Sequence, residues 1–474
     1  MLLFLILLPF SGGLLAFVLP KNSLRKILLI GVASIHLAAV LGLWSGGMPD
    51  NGSGPVFLGL DVLGKLILTV ISILFAAVSV YLWGYLKNER ACNRIFTGCL
   101  LLLLSSMTLV SVSAHMGLLW VALEATTLMS APLISFERSP QNTEAAWKYV
   151  LICSVGIALA LLGTIMLAIS SGNFKTVFLN DLLNHASVLT PSWLKLSVIF
   201  LLVGYGTKMG LAPMHTWKPD AYAQSPAPIG GLLSGALTAC PILAILRVVQ
   251  ICNRADLSSF IEPILMVMGV LSLGVAAVFI LRQKDFSRML AYSSVENMGI
   301  IALGLGLGQA AYWPSMFHLI NNALTKGFMF MLAGNLYQHY RSRDMGQIQG
   351  VYAQNALMGV LLVLGFMSLT AIPPSGTFFS EIMILSAAVQ SKHYLIAAMF
   401  IVFLSVIFIG MAKGALQMFH HGPASKQESS PMVHPVSSMA PILVLGAIIL
   451  ALGLHVPVFL ENVLRSTQTS LGGR

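Results

Sequence analysis

Long apolar blocks alternate with short polar ones along the whole chain. Residues 27–44, 63–83 and 198–203 carry almost no charge, and each block gives way to a brief polar loop. A helix needs roughly 20 apolar residues to cross a bilayer core, so this pattern predicts about fourteen spans. They begin near Met1, Lys26, Val62, Ile95, Met116, Thr143, Ser192, Ile229, Leu257, Ser287, Pro314, Asn355, His393 and Met439. The alternating strands of a membrane barrel are missing. Residues 1–19 enter an apolar helix with no basic stretch ahead of them and no small-residue cleavage site, and are read as the first span. Residues 174–188 are too polar to cross and are expected at the outer interface. The longest polar linker, 420–434, is too short for a soluble domain.

Composition agrees with a polytopic helical membrane protein: of 474 residues, 57% are hydrophobic and only 9% charged. The formal charge of +10 raises the question of nucleic acid. Lysines and arginines are scattered over short loops with no basic stripe, however, so membrane topology explains them better and no nucleic-acid partner is implied. With an even number of spans, Lys21, Arg25, Lys26, Lys87, Arg90, Arg94, Arg138, Lys218, Arg282, Lys284, Arg288, Arg341, Arg343 and Lys426 fall on one side. Lys175, Lys195, Arg247, Arg254, Lys392, Arg465 and Arg474 fall on the other. The richer side is expected to be cytoplasmic, which puts both termini outside.

Some chemistry is excluded by spacing. Cys92, Cys99, Cys153, Cys240 and Cys252 form no C-x-x-C pair and are read as apolar packing residues rather than metal ligands. His36, His115, His215 and His318 have no context that asks for haem. No dinucleotide fingerprint, phosphate loop or nucleophile–base set is present. No metal or cofactor is expected in this chain, and covalent catalysis by it alone is not expected.

What stands out is a sparse set of ionisable groups inside apolar segments. Residues 204–220 set Lys208 and His215 in an apolar helix interrupted by Gly210 and Pro213. A charge at membrane depth costs about 2.5–3.5 kcal/mol on insertion scales and persists where it faces a bundle interior or a wet cavity. Irregular backbone at that depth is tolerated in the same places. Glu124 lies mid-span beside Thr126 and Thr127, as a partner for Lys208 or as a helix–helix hydrogen bond. Desolvation disfavours an ammonium and a nearby carboxylate favours it, so a partner that moves switches the proton on or off. His318, Asn322 and Lys326 recur every four residues and line one helix face. A second broken helix follows, with Pro373, Pro374 and Gly376 ahead of Glu381, which also reads as a capping carboxylate. Two broken, charge-bearing helices in comparable places point to an internal repeat with ion sites at midplane. Glu296 is either a proton-uptake group or a helix-end residue wetted by the cytoplasm.

These residues carry a resemblance. The runs Trp120 to Thr127 (WVALEATT), Glu144 to Gly156 (EAAWKYVLICSVG), Gly204 to Ala221, Leu290 to Ser294 (LAYSS) and His318 to Lys326 are similar to the antiporter-like proton-channel subunits. That superfamily is shared by respiratory complex I, multi-subunit cation antiporters and membrane-bound hydrogenases, and the likeness is nearest to the hydrogenase-4 component F type. It implies an all-α integral membrane fold of about fourteen helices with two inverted five-helix repeats and broken seventh and twelfth helices. The units would be residues 1–94 (helices 1–3), 95–252 (first repeat), 253–421 (second repeat) and 422–474 (helix 14). It further implies Glu124 and Lys208 as the inner proton-switching pair and Lys326 and Glu381 on the central and exit side, with His318 in the relay. His215, Thr238, Glu296, Asn322, Glu144 and Lys148 are accessory candidates. Four departures are visible, one of them Tyr222 where the usual P-D-A-H ends in histidine. Residues 234–243 offer no lysine for the eighth helix, so the central relay is expected to use water, Thr238 or His318. Asn322 replaces a second histidine, and Lys218 stands where an apolar residue is common.

Two functions follow as expectations. The first is a proton-translocating membrane subunit of an energy-converting oxidoreductase in a prokaryotic inner membrane, with other membrane subunits and a peripheral redox arm as partners. The alternative is a cation/proton antiporter subunit, moving protons or sodium, with no redox link. The chain stops at Arg474 without the lateral helix of the largest family members, and is expected to need neighbours.

Overall fold

The computed structural model describes residues 1–45, 56–85, 93–137, 139–172, 176–419 and 435–472. Lys87, Arg90, Cys92, Arg138, Lys175, Lys426, Arg474 and the linker 420–434 lie outside them. The described residues are almost wholly helical, with extended pairing confined to three isolated bridges. In chain order the helices are α1 (Leu2–Val18), α2 (Asn22–Gly42), α3 (Val62–Tyr85), α4 (Asn93–Val112), α5 (Met116–Ile134), α6 (Pro140–Ser170) and the short α7 (Leu179–Asn184). There follow α8 (Pro191–Met209), α9 (Trp217–Gln224), α10 (Ala227–Leu232), α11 (Thr238–Arg254), α12 (Ser258–Ile280), α13 (Phe286–Gly306) and α14 (Gln309–Tyr340). The chain closes with α15 (Val351–Gln354), α16 (Ala356–Leu369), α17 (Gly376–Gln390), α18 (Tyr394–Phe419), α19 (Val436–Leu454) and α20 (Val458–Gly472).

Nine helical segments among the described residues are long and apolar enough to cross a membrane: α2 to α6, the continuous run Ala227–Arg254, α12, α18 and α19. Helices α8, α13 and α14 have sufficient length but are absent from that set. They are the ones whose apolar runs are diluted by Lys208, by Ser293, Ser294 and Glu296, and by His318, Asn321, Asn322 and Lys326. The same two inner helices, α13 and α14, are buried along nearly their whole length. The buried interior of the bundle therefore includes polar and ionisable side chains on these two helices.

Packing explains how polar helices are held there. Helix α14 is ringed by α3, α10, α13, α16, α17, α19 and α20, while α6 lies along α8 and α12 along α13. At the α6–α8 seam the backbones nearly touch: a Cβ on Gly204 would lie 2.5 Å from the Gly156 carbonyl. Small residues permit this approach, and in lipid, where apolar packing has no competitor to displace, such contact is a main source of helix association.

Two differences from the sequence expectation concern the ends of elements. The final unit is not one helix: Pro457 lacks an N–H and His455 is extended, so α19 stops at Leu454. Helix α20 then turns Val463, Leu464, Thr467 and Leu471 inward and packs on α11 and α14. The described residues of the segment expected at the outer interface form the six-residue α7 and a 3-10 turn at Ala186–Val188, too short to cross. Lys218, counted as a loop charge, is fully buried on α9, and Arg247, counted on the opposite side, is buried on α11. Dropping both leaves the Lys/Arg asymmetry in the same direction.

Candidate functional site

Helix α8 ends within the bundle. Gly210 takes the left-handed conformation (φ 78°) and its N–H closes on the Gly206 carbonyl at 2.8 Å. Residues 210–216 are irregular and α9 restarts at Trp217. Lys208 sits in the last turn before the break, 1% exposed. Its Nζ donates to Thr127 Oγ1 at 2.6 Å and to the Tyr149 hydroxyl at 2.8 Å, and lies 4.9 Å from the Tyr149 ring centroid. Thr127 Oγ1 in turn reaches Glu124 Oε2 at 3.3 Å. The other carboxylate oxygen accepts from Ser154 at 2.7 Å. Glu124 and Lys208 form no direct ion pair; one hydroxyl stands between them.

The hydroxyls impose a direction on this network. Ser130 gives its only proton to the Thr126 carbonyl (2.7 Å), so Tyr149 donates to Ser130 (2.7 Å) and its remaining lone pair accepts from Lys208. The Lys208 ammonium thus has two neutral acceptors and a carboxylate one hydroxyl away. Thr127, Ser130, Tyr149 and Ser154 were not among the sequence candidates. Thr127 closes the quoted WVALEATT run, while Tyr149 and Ser154 fall inside the second quoted run as unremarked neighbours of Lys148.

A second buried amine lies beyond the break. The stem of Lys218 crosses Gly210 so closely that a Cβ there would stand 2.4 Å from Lys218 Cδ. Its Nζ donates to Ser294 Oγ at 3.1 Å and sits 5.8 Å from the Tyr222 ring. Ser293, the next residue on α13, accepts from Lys326 in a short contact, and Lys326 also reaches the Leu290 carbonyl at 3.2 Å. Lys218 of α9 and Lys326 of α14 therefore bond to consecutive serines of α13. The sequence signal for Lys218 was a charge between Trp217 and Pro219 in an apolar run.

The exit half departs from a simple stripe on α14. His318 is fully buried, with Nε2 2.9 Å from Asn297 Oδ1 and Nδ1 2.8 Å from Ser380 Oγ, next to Glu381. Asn297 also donates to the Ser293 carbonyl at 2.6 Å. The link from Lys326 to His318 therefore runs through α13, and Asn322, buried with an unpartnered Oδ1, is not in it. Glu296 is 2% exposed in the middle of α13 with one oxygen unpartnered, which rules out a solvent-wetted helix end. It lies within electrostatic range of both Lys326 and Glu381. Glu381 is half-buried and lines a cavity of about 430 Å³ with Thr370, Phe378, Phe400 and Ser405.

The accessory candidates lie apart. Thr238 bonds to the carbonyl of Ser234 (2.5 Å) in the π-helical stretch Leu233–Leu237 and touches no amine. His215 is buried in the break with Nδ1 unpartnered. Glu144 and Lys148 pair at 2.7 Å on the exposed start of α6, and Lys148 also meets Asp220 at 3.2 Å. Asp220 takes Arg288 at 2.5 Å as well, so α9 is tied to α6 and α13 at this rim. Among the described residues no group of three or more His, Cys, Asp or Glu could hold a metal ion.

Comparison with known proteins agrees with this geometry. Residues 113–408, which span both helix breaks, match the family described as NADH:quinone oxidoreductase/Mrp antiporter, TM. A hydrogenase-4 component F homolog of Methylacidiphilum infernorum is 36% identical over 303 residues, covering 63% of this chain and 64% of that one. The match thus spans less than two thirds of the relative's length. A chain of respiratory complex I from Thermus thermophilus superposes with a TM-score of 0.79 at 25% identity, covering 96% of each chain. A chain of the archaeal membrane-bound sulfane sulfur reductase has the same fold, with a TM-score of 0.90 at 22% identity over 99% of this chain and 97% of that one. The chain is a multi-pass membrane protein and belongs to the NADH:quinone oxidoreductase/Mrp antiporter membrane family.

Proposed function

We propose that the chain is the proton-translocating membrane subunit of an energy-converting oxidoreductase complex of the hydrogenase or NADH/quinone-reductase kind. Redox chemistry resides in partner proteins, and this chain moves protons through Glu124, Lys208, Lys326, His318 and Glu381. The observation that carries this reading is the hydroxyl bridge from Glu124 through Thr127 to Lys208 at a broken helix inside the bundle. Such an arrangement lets a carboxylate set the charge of an amine without locking to it, as a switch requires.

In this reading about fourteen spans form two inverted five-helix repeats over residues 95–252 and 253–421, flanked by 1–94 and 422–474. The breaks after Met209 and after Leu369 support this division. The chain sits in a prokaryotic inner membrane beside other membrane subunits and under a peripheral redox arm. Its termini are outside, and the loop holding Arg282 and Arg288 is cytoplasmic. Labelling of that loop by a membrane-impermeant thiol reagent only from outside would reverse the topology.

The decisive experiment compares Glu124→Gln, Lys208→Ala and the double variant in vesicles containing the whole complex. Each single change is expected to abolish redox-driven proton transport, and the double to be no worse than either. Near-normal pumping by either single variant sinks the pairing. Sodium/proton exchange that persists with no electron donor would favour the antiporter alternative.

A further inference from the structure

The resemblance leaves a gap in the middle of the relay: no lysine is available on the eighth helix, and Thr238, the hydroxyl nearest in sequence, gives its proton to its own helix. We propose that Lys218, on the second half of the broken helix, is the central proton station and joins Lys208 to Lys326. This rests on the proton-translocating function proposed above.

Three observations place it there. The amine is fully buried and makes no ion pair among the described residues; its polar contact is one neutral hydroxyl. A charge so placed is costly to hold and easily given up. Secondly, a purely structural lysine would be expected to fasten α9 to its neighbours, but Asp220 does so already by pairing with Lys148 and Arg288 at the rim. Thirdly, its surroundings lead toward both other stations. On one side Tyr149, which holds Lys208, packs against Trp217 at 5.0 Å, and Trp217 against Tyr222 at 5.8 Å, beneath Lys218. On the other, Ser294 and Ser293 lead to Lys326.

The step balances as a proton transfer with no co-reactant. Lys208, as ammonium, gives one proton to water between the two amines and becomes the neutral amine, and that water gives one to neutral Lys218. The Ser294 hydroxyl then takes a proton from Lys218 and releases one to an intervening water, which releases one to the Ser293 hydroxyl, and Ser293 releases one to Lys326, until Lys326 is the ammonium and Lys218 is neutral again. Since Lys218 and Lys326 are near enough to repel as cations, occupancy of one discourages occupancy of the other. A single proton is thereby moved forward rather than accumulated.

The test measures protons moved per electron turnover in vesicles containing the assembled complex. Lys218→Gln keeps a donor for Ser294 but stores no proton, and is expected to lose about tenfold or more of transport. Lys218→Leu should lose as much. Lys218→His, which takes and gives a proton, should recover a clear part of it. The proposal is overturned if Lys218→Gln pumps at half the normal rate or better, or if Gln, Leu and His fall equally in fully assembled complex. Should the Lys218 variants fail to assemble, Ser294→Ala decides: a several-fold loss supports the relay and normal transport overturns it. Lys208→Ala separates the two levels of inference. If it stops transport while Lys218→Gln does not, only the central station fails; if neither matters, the functional reading fails with it.

Discussion

Removing the hydroxyl of Thr127 tests the switch more sharply than removing either charge. Thr127→Val keeps the shape of the side chain and deletes the one atom that touches both Lys208 (2.6 Å) and Glu124 (3.3 Å). Tyr149 remains as acceptor for Lys208, so the ammonium keeps one of its two side-chain hydrogen-bond partners. A hydrogen bond to a charged group is worth about 1.5–3 kcal/mol, and its loss falls on a buried group. At 1.36 kcal/mol per factor of ten, proton movement should slow about ten- to a hundredfold if transfer past Lys208 limits the rate. Thr126→Val is the matched control, because that hydroxyl returns to the Leu123 carbonyl of its own helix at 2.6 Å. The assay is fluorescence quenching by a pH-sensitive dye in vesicles during redox turnover, normalised to electron flux and to assembled complex. Pumping within twofold of normal in Thr127→Val, or an equal loss in Thr126→Val, would refute the bridge.

Two further outcomes are expected. In the exit half, Lys326→Ala and Glu381→Ala should stop transport without preventing assembly, whereas Asn322→Ala should slow it only partly because an amide orients water but stores no proton; equal, mild losses in all three would make this region structural. Away from the relay, Arg247 on α11 grips Asp61 ahead of α3 with two contacts of 2.6 Å. Burial pushes the Asp61 carboxyl up, but the Arg247 guanidinium and the Gly64 N–H outweigh it and hold the group below the ordinary aspartate value. Its contribution to stability is therefore complete above that ordinary value, about pH 4, and is lost as pH falls through the lower folded value. Thermal melts of the solubilised protein should show this acid limb, and Asp61→Asn should flatten it; an unchanged limb removes the ion pair as its cause.

The apolar blocks made the helices legible because membrane spans need length and hydrophobicity above all, and the two breaks were legible because Gly210–Pro213 and Pro373–Gly376 end helices by backbone chemistry. Spacing did not reveal which polar groups meet. The i, i+4 series His318, Asn322 and Lys326 predicts a stripe on one helix. In the structure His318 instead finds Asn297 and Ser380 on two other helices, and Asn322 finds no partner for its oxygen. Lys218 was misassigned for a related reason. A lysine next to a proline at the end of an apolar run looks like a loop charge unless it is known that the broken helix restarts inside the bundle. Which hydroxyls bridge the charges was not legible, because in most helices serine and threonine hydroxyls bond to the preceding turn, as Thr126 and Thr238 do here; nothing in the sequence distinguishes Thr127 from Thr126.

The order of the groups has a physical logic of its own. The half-buried carboxylates Glu124 and Glu381 stand toward the ends, and the fully buried bases Lys208, Lys218, Lys326 and His318 lie between them, held by hydroxyls, an amide and backbone carbonyls. A carboxylate in direct contact would hold each amine as a fixed cation and trap the proton. Neutral acceptors satisfy the amine's donors while leaving its charge free to change, and the low dielectric lets each charge act strongly on the next. Glu296 adds a buried carboxylate within electrostatic range of both Lys326 and Glu381. The polar residues of α8, α13 and α14 that interrupt their apolar runs therefore include both the bases Lys208, Lys326 and His318 and the serines and the amide that hold Lys218, Lys326 and His318.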